Sequence, residues 1–90
     1  MVELASTPRF ARGVKFRMDK TRDVWVVLAP ERLFLPDEHA VEILKLVDGQ
    51  RSVQCIADLL AERFAAPVEV ISSDVVAMLK DLADKGVLEL

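Results

Sequence analysis

The stretch LAPERLFLPDEHAVEILKLVDG, residues 28–49, decides the fold because it predicts a short strand and a helix with almost no linker between them. Residues 32–35, an arginine followed by three apolar residues, form a short strand-like run that Pro36 ends, since proline cannot donate a hydrogen bond to a strand ladder. Asp37 is then placed as the helix N-cap, where its carboxylate accepts hydrogen bonds from first-turn amides. Gly49 is placed to end the helix. The apolar residues between them lie three and four positions apart, on one helical face: Ala40, Val41, Ile43, Leu44 and Val47.

Two further strands are predicted upstream of this stretch. Residues 14–18 alternate apolar and basic side chains, which is the two-residue period of a half-buried strand. Residues 24–28 are apolar without alternation, as is typical of a central strand covered on both faces. Residues 1–13 contain Pro8 and Gly13 and show no sustained period, so they are predicted to be a flexible N-terminal arm.

Two further helices are predicted downstream. Ser52 is a suitable N-cap for the first, and Pro67 suits the first position of the second, which runs to about Lys85 with Gly86 past its end. Residues 87–90 are strand-like and could pack back on the sheet. The predicted inner face of the first of these helices is Val53, Ile56, Leu59, Leu60 and Phe64, and that of the second is Val68, Ile71, Val75, Met78, Leu79 and Leu82, widened by Val76.

This order of elements predicts the fold class. Three strands followed by three helices indicate an α+β, winged-helix-like domain, with a three-stranded antiparallel sheet followed by a three-helix bundle. Ninety residues leave room for one core, so residues 14–90 are expected to form a single domain. No apolar window approaches the ~20 residues of a membrane span, and the N-terminus lacks a secretory signal. A cytoplasmic protein is therefore expected.

The residues that catalysis usually requires are scarce. His39 is the only histidine, and Cys55 is the only cysteine, with no second cysteine to pair with and no nearby histidine to activate it. No Cys/His cluster has metal-ligand spacing, and no glycine-rich loop could cradle a phosphate. A surface histidine and a semi-buried cysteine are the simpler interpretations. We expect no enzyme activity, no metal and no cofactor.

Two kinds of binding protein remain, and the first is a DNA-binding winged helix. Its last helix would enter the major groove. In this chain that helix carries four acidic residues, Glu69, Asp74, Asp81 and Asp84, against two lysines. A net negative recognition helix opposes phosphate binding, so this alternative is disfavoured.

The second alternative is peptide capture by strand addition, in which an extended segment pairs with the open edge of the third strand. Charge favours an acidic or mixed partner near the strands, because residues 1–35 carry a net +3 and residues 36–90 a net −6. Arg32 and Lys80 could meet acidic peptide side chains. The same open edge favours self-association into a homodimer at high concentration. Apolar peptide side chains would contact Phe34, Val75, Val76 and Leu79.

The chain also resembles the PqqD family of pyrroloquinoline quinone biosynthesis. The resemblance covers about residues 8–90 and rests on Trp-x-x-Leu-x-Pro-Glu at residues 25–31, Asp-Gly at residues 48–49 and Asp-Val at residues 74–75. The family commonly has an asparagine just before the first helix, where this chain has Pro36 and Asp37. The cap survives that change, whereas this chain has no asparagine side chain to make a contact there.

The resemblance implies a non-catalytic peptide chaperone. Proteins of this kind are recognition elements that bind the precursor PqqA and present it to the radical-SAM enzyme PqqE. In related recognition elements the leader peptide lies as an added strand between the third strand and the third helix. Carried onto this chain, the implied site consists of Arg32, Leu33, Phe34, Leu35, Asp74, Val75, Met78, Leu79 and Leu82.

Overall fold

The computed structural model describes residues 3–90 and contains two small antiparallel sheets and three helices. A three-stranded sheet has the order β2-β3-β4, and a two-stranded sheet joins β1 to β5. The predicted α+β arrangement of three strands followed by three helices is confirmed. The elements are β1 (Arg9–Phe10), β2 (Lys15–Asp19), β3 (Val24–Ala29), β4 (Arg32–Phe34), α1 (Glu38–Leu44), α2 (Val53–Phe64), α3 (Val68–Asp84) and β5 (Leu88–Glu89).

The N-terminal segment contains a strand that the sequence does not reveal. β1 pairs with β5 through Arg9 opposite Glu89 and Phe10 opposite Leu88. Two residues are too few to show a period, which is why a flexible arm is predicted there. The first two residues of that predicted arm lie outside the described residues. The C-terminal tail was expected to pack back on the sheet, and it pairs with β1 instead.

The three-stranded sheet has the predicted central strand. β3 pairs with β2 on one side and with β4 on the other, and Val26 and Val27 are both buried although they point to opposite faces. The middle row of the core face is Phe16, Val27 and Phe34, one residue from each strand. Val27 belongs to the hydrophobic core, and the two phenylalanines pack against it. The helices therefore cover this face of the sheet.

Helix α1 begins as predicted and ends earlier than predicted. Asp37 caps it, since the Asp37 carboxylate accepts a 2.8 Å hydrogen bond from the amide of Ala40. The helix ends at Leu44 rather than near Gly49, because the amides of Leu46 and Val47 bond to carbonyls three residues back and wind the chain into tighter turns. Val47 remains buried at the end of these turns.

Helix α2 buries a narrower face than predicted. Ser52 is its N-cap and accepts a 3.1 Å hydrogen bond from the amide of Cys55. Leu59 and Phe64, both predicted to face inward, are 39% and 51% exposed, so that part of the prediction is wrong. Leu59 is adjacent to the buried Leu60 but points about 100° away from it around the helix axis. Phe64 is the last residue of the helix. The residues that α2 does bury are Val53, Ile56, Ala57 and Leu60.

Helix α3 packs on α2 through Val75, Leu79 and Leu82, all buried. Pro67 is the N-cap residue rather than the first helical residue, and Gly86 has the left-handed backbone expected just past the end. Within residues 3–90, no helix combines the length and the apolar character that crossing a bilayer demands.

The cap of α1 is expected to be measurable in stability. Asp37→Ala removes the acceptor for the Ala40 amide, so we expect a loss of about 1 kcal/mol in the free energy of unfolding. Asp37→Asn keeps an acceptor oxygen and should cost much less. Urea denaturation followed by circular dichroism measures both values. Equal losses for the two variants would show that the charge, and not the cap bond, stabilises this end.

The loop between α1 and α2 is organised by Asp48. Its carboxylate accepts hydrogen bonds from the amides of Arg51 at 2.8 Å and Gln50 at 2.9 Å, while Gly49 takes the left-handed backbone with φ of 77°. These amides, that of Arg51 first, hold the pKa of the Asp48 carboxyl below its usual value of 3.8.

This lowered pKa predicts a small pH dependence of stability. A carboxyl whose pKa is lower in the folded state stabilises the fold above its unfolded pKa, and that contribution is lost as the pH falls through the folded pKa. Asp48→Asn removes the titration and keeps an acceptor oxygen. The stability difference between the wild-type chain and Asp48→Asn should therefore shrink as the pH falls below about 4. Urea denaturation at pH 6 and pH 3 tests this, and a difference that does not change with pH would contradict it.

Candidate functional site

Strand β4 has one open edge. It pairs with β3 on one side, and no strand in residues 3–90 pairs with its other side. The strand has only three residues, with Pro36 and Asp37 closing off its far end before α1. An exposed edge presents unpaired backbone amides and carbonyls, so it can accept another extended chain.

The register decides which residue faces that open edge. The two-residue turn at Pro30 and Glu31 makes Ala29 and Arg32 the hydrogen-bonded pair that closes the hairpin. Because hydrogen-bonded and non-bonded pairs alternate along an antiparallel ladder, the next residue, Leu33, points its amide and carbonyl away from β3. Leu33 therefore offers a donor and an acceptor to an incoming strand.

Beside this edge lies a groove between β4 and α3, with a volume of about 270 Å³. Its apolar lining comes from β3, β4 and α3, and it is closed by the start of α1. Asp81 and Lys85 form a charged rim and are joined by a 2.9 Å ion pair. The apolar lining residues are Val27, Phe34, Leu35, Pro36, Ala40, Met78 and Leu82.

A larger cleft of about 1200 Å³ lies on the α1 side and shares Pro36, Asp37, Met78 and Asp81 with the groove. Its apolar lining includes Trp25, Val41, Phe64 and Ile71. Its charged lining is predominantly acidic. The cleft acids are Asp23, Asp37, Glu38, Glu42, Asp74 and Asp81.

Among residues 3–90, Lys45 is the single lysine that lines this cleft. Its ammonium group lies 3.7 Å from the Glu42 carboxylate and 5.2 Å from the centre of the Trp25 ring. Trp25 in turn stacks on Phe16, with ring centroids 4.7 Å apart. The cation is thus held by an acid and an aromatic face, and the acidic character of the cleft is only partly compensated.

The structure brings together part of the residue set expected to bind a peptide. Phe34, Leu35, Met78 and Leu82 line the groove, although Leu82 is itself buried. Asp74 and Val75 line the larger cleft together with Met78. Leu33 lies on the open edge, and Arg32 is exposed at the start of the same strand.

Three residues of that set lie elsewhere. Leu79 is fully buried in the core. Val76 and Lys80 line neither the groove nor the cleft. Lys80 follows Met78 by two residues, and two helical residues differ by about 200° around the axis, so Lys80 points away from the groove. The expected contact between Lys80 and an acidic peptide side chain therefore has no support in this geometry.

Helical period was the signal that could have found the residues that were missed. From Met78 and Asp74, which belong to the expected set, steps of three and four reach the missed residues Ile71, Asp81 and Lys85, and all of these line the groove or the cleft. The expected set instead took neighbouring residues from about two and a half turns of the helix, residues 74–82. The start of α1, which contributes Asp37 and Ala40, could be identified only from the tertiary packing.

The residues considered for catalysis are placed as the simpler interpretation expects. His39 is exposed in the first turn of α1, and Cys55 is a half-buried free thiol in α2. In the part of the chain that the structure describes, no group of three or more His, Cys, Asp or Glu residues is arranged to hold a metal ion.

Comparison with known proteins identifies the family. The family model described as coenzyme PQQ synthesis protein D (PqqD) matches residues 24–88. The chain belongs to the PqqD family. A PqqA binding protein of Bradyrhizobium diazoefficiens is 56% identical over 87 residues, which cover 97% of this chain and 84% of the relative. The resemblance noted in the sequence is therefore confirmed.

Solved structures of PqqD and of a more distant protein share the fold. The solution structure of the PqqD part of Methylobacterium extorquens PqqCD matches with a TM-score of 0.84 at 43% identity, covering all of this chain and 96% of that one. That protein is described as a functional, stand-alone recognition element for ribosomally synthesised and post-translationally modified peptides. Lasso peptide synthetase B1, solved with its leader peptide, matches with a TM-score of 0.79, covering 94% of this chain and all of that one. At 14% identity, that match shows the fold alone.

Proposed function

We propose that the chain is a non-catalytic recognition protein of pyrroloquinoline quinone biosynthesis that acts in the cytoplasm. It binds the precursor peptide PqqA as an added strand on β4 and presents it to the radical-SAM enzyme PqqE. The observation that carries the proposal is the open edge of β4 beside an apolar groove, in a chain 56% identical to a PqqA binding protein.

The open edge of β4 would bind the peptide backbone, and the groove would select its side chains. Hydrogen bonds from the Leu33 amide and carbonyl would set the position of the peptide backbone but would not select its sequence. Alternate peptide side chains would point into the groove towards Phe34 and Met78, where apolar contacts reward particular residues. The peptide-binding residues of the proposal are Arg32, Leu33, Phe34, Leu35, Asp74, Val75, Met78 and Leu82, to which the geometry adds Pro36, Asp37, Asp81 and Lys85.

The chain would present PqqA to PqqE by holding one end of the peptide. A flexible peptide held at one end meets an enzyme bound to the same chain at an effective concentration that reaches the millimolar range for short flexible linkers. The chain then needs no catalytic group of its own. Its contribution is to turn an encounter between two dissolved molecules into an intramolecular one.

DNA binding has less support. The exposed surface of α3 carries four acids: Glu69, Asp74, Asp81 and Asp84. Lys85, which follows the end of this helix, is already paired with Asp81. A duplex docked on this helix would meet net negative charge.

Fluorescence anisotropy of a labelled PqqA peptide tests the proposal. We expect saturable binding to the chain and, in parallel, no saturable binding of a labelled DNA duplex of mixed sequence at the same salt concentration. A scrambled PqqA peptide is the matched control and should bind more weakly. Binding of the duplex but not of PqqA would overturn the proposal and favour the DNA-binding alternative.

A further inference from the structure

The face of the three-stranded sheet that turns away from the helices carries two basic side chains and an exposed leucine. Directly paired residues share a face of a sheet, so Lys15, Leu28 and Leu33 form one row across the three strands, and Arg17 lies beside Val26 in the next. We call these five residues the outer sheet face. Lys15, Arg17 and Leu33 are exposed, Leu33 to 47%, whereas Leu28 is half-buried and Val26 is buried.

The cations of this face lack ion-pair partners. Across residues 3–90 each of six basic residues makes a salt bridge with an acid, whereas Lys15 and Arg17 make none. Among the described residues, the unpaired basic residues are Arg12, Lys15, Arg17, Lys20, Arg32 and Lys80. Five of these six belong to the segment that builds the sheet.

The outer sheet face thus combines one exposed leucine, Leu33, with two cations that make no salt bridge among the described residues, Lys15 and Arg17. The next row of the same face adds the exposed Val24 and the carboxylate of Asp19. An apolar patch rimmed by polar residues is typical of a protein-binding surface. The positive charge selects a partner surface that is acidic and apolar, since complementary potentials speed encounter and reject like-charged partners. A basic partner or a second basic sheet would be repelled.

We propose that the outer sheet face docks the modifying enzyme through an acidic, apolar surface of that enzyme; this inference rests on the proposed function. A peptide strand added to the edge of β4 would extend the same face, with alternate side chains beside Leu33. An enzyme seated on the outer sheet face would then contact the chain and its peptide together. The enzyme is therefore expected to bind the peptide-loaded chain more tightly than the empty chain, and the linkage is reciprocal.

Charge reversal on the face tests the inference. Arg17→Glu should weaken binding of PqqE to the PqqA-loaded chain about 10-fold or more at 0.1 M salt, and less at 0.5 M, where screening is stronger. Lys80→Glu is the matched control, because Lys80 is also exposed and unpaired among the described residues but lies on α3. It should change PqqE affinity less than about threefold, as rim charges away from an interface do. Lys15→Glu serves as a second face variant if Arg17→Glu fails to fold.

The affinity for PqqA, measured on the same variants, separates this inference from the proposed function. Arg17→Glu is expected to keep wild-type PqqA affinity while losing PqqE. If the wild-type chain fails to bind PqqA, the proposed function fails. If it binds PqqA and PqqE and both face variants keep wild-type PqqE affinity, the inference alone is overturned. It is also overturned if sedimentation shows that the face variants lose a dimer while PqqE binding is unchanged, since the face would then belong to a second copy of the chain.

Discussion

Replacing Leu33 with proline should weaken PqqA binding at least about 10-fold while leaving the domain folded. The substitution removes the amide that points from β4 to the open edge and replaces the leucine side chain with a ring that obstructs an incoming strand. One net hydrogen bond is worth about 0.5–1.5 kcal/mol, and the obstruction adds to that loss. Proline is tolerated on an edge strand where its missing amide would face solvent, so the fold should survive.

Two matched substitutions separate the loss of the Leu33 amide from the loss of its side chain and from destabilisation of the hairpin. Leu33→Ala keeps the backbone amide and should weaken binding only a few-fold, because only side-chain contact is lost. Phe34→Pro removes an amide on the β3 side of the strand and an apolar contact with the core, so it should destabilise the hairpin itself. Isothermal titration calorimetry gives the affinities, and thermal melts give the stabilities. Equal affinities for Leu33→Pro and the wild-type chain would rule out backbone pairing at this edge.

Met78→Glu should have the second large effect on PqqA binding, a loss of about 10- to 100-fold. Met78 is half-buried and lines both the groove and the larger cleft, so a carboxylate there would be desolvated when an apolar peptide side chain arrives. It would also lie on the same helical face as Asp81. Repulsion between the two acids would add to the cost.

The controls for Met78 use the same helix. Lys80→Glu changes the net charge by two units, and Lys80 lies outside the groove, so PqqA affinity should stay within about threefold of wild type. Met78→Leu keeps the volume and should be nearly neutral. Anisotropy titrations with labelled PqqA compare all four proteins. Equal losses for Met78→Glu and Lys80→Glu would mean that the effect is one of net charge and not of the groove.

The fold was predictable because residues close to each boundary, such as capping residues and glycines, determine where its helices begin and end. Asp37 and Ser52 act as N-caps through side-chain bonds that the sequence alone indicates, and Gly86 takes the left-handed backbone expected just past a helix. The central position of β3 follows from its lack of alternation. The strand β1 escaped prediction because its pairing with β5 joins residues 80 positions apart, and its two residues carry no period of their own.

The candidate site was predictable at the strand and less so on the helix. A short run of one arginine and three apolar residues between two prolines is typical of an edge strand, so residues 32–35 could be selected from the sequence. On α3 the sequence does not distinguish a residue that packs in the core, such as Leu79, from one that lines a groove, such as Met78, because both are apolar and in phase. Only the position of β4 and α1 separates the two roles. The acidic lining of the cleft likewise comes from three separate places in the chain: the turn before β3, α1 with its cap, and α3.

The exposed side chains of α2 show that a residue in phase with a buried helical stripe is not always buried. Phe64 follows Leu60 by four residues and was expected to be buried, yet it ends the helix and is 51% exposed, lining the larger cleft. A large aromatic residue at the end of an amphipathic helix can thus serve a surface as well as a core. In this chain it enlarges the apolar area next to the proposed peptide groove.

The most direct test of strand addition is an amide NMR titration of the ¹⁵N-labelled chain with unlabelled PqqA. We expect the largest shift changes on residues 32–35 and on the groove side of α3 from Ile71 to Lys85, and we expect the Leu33 amide to become protected from hydrogen exchange. Shifts confined to other surfaces, with the Leu33 amide still exchanging as in the free chain, would contradict it.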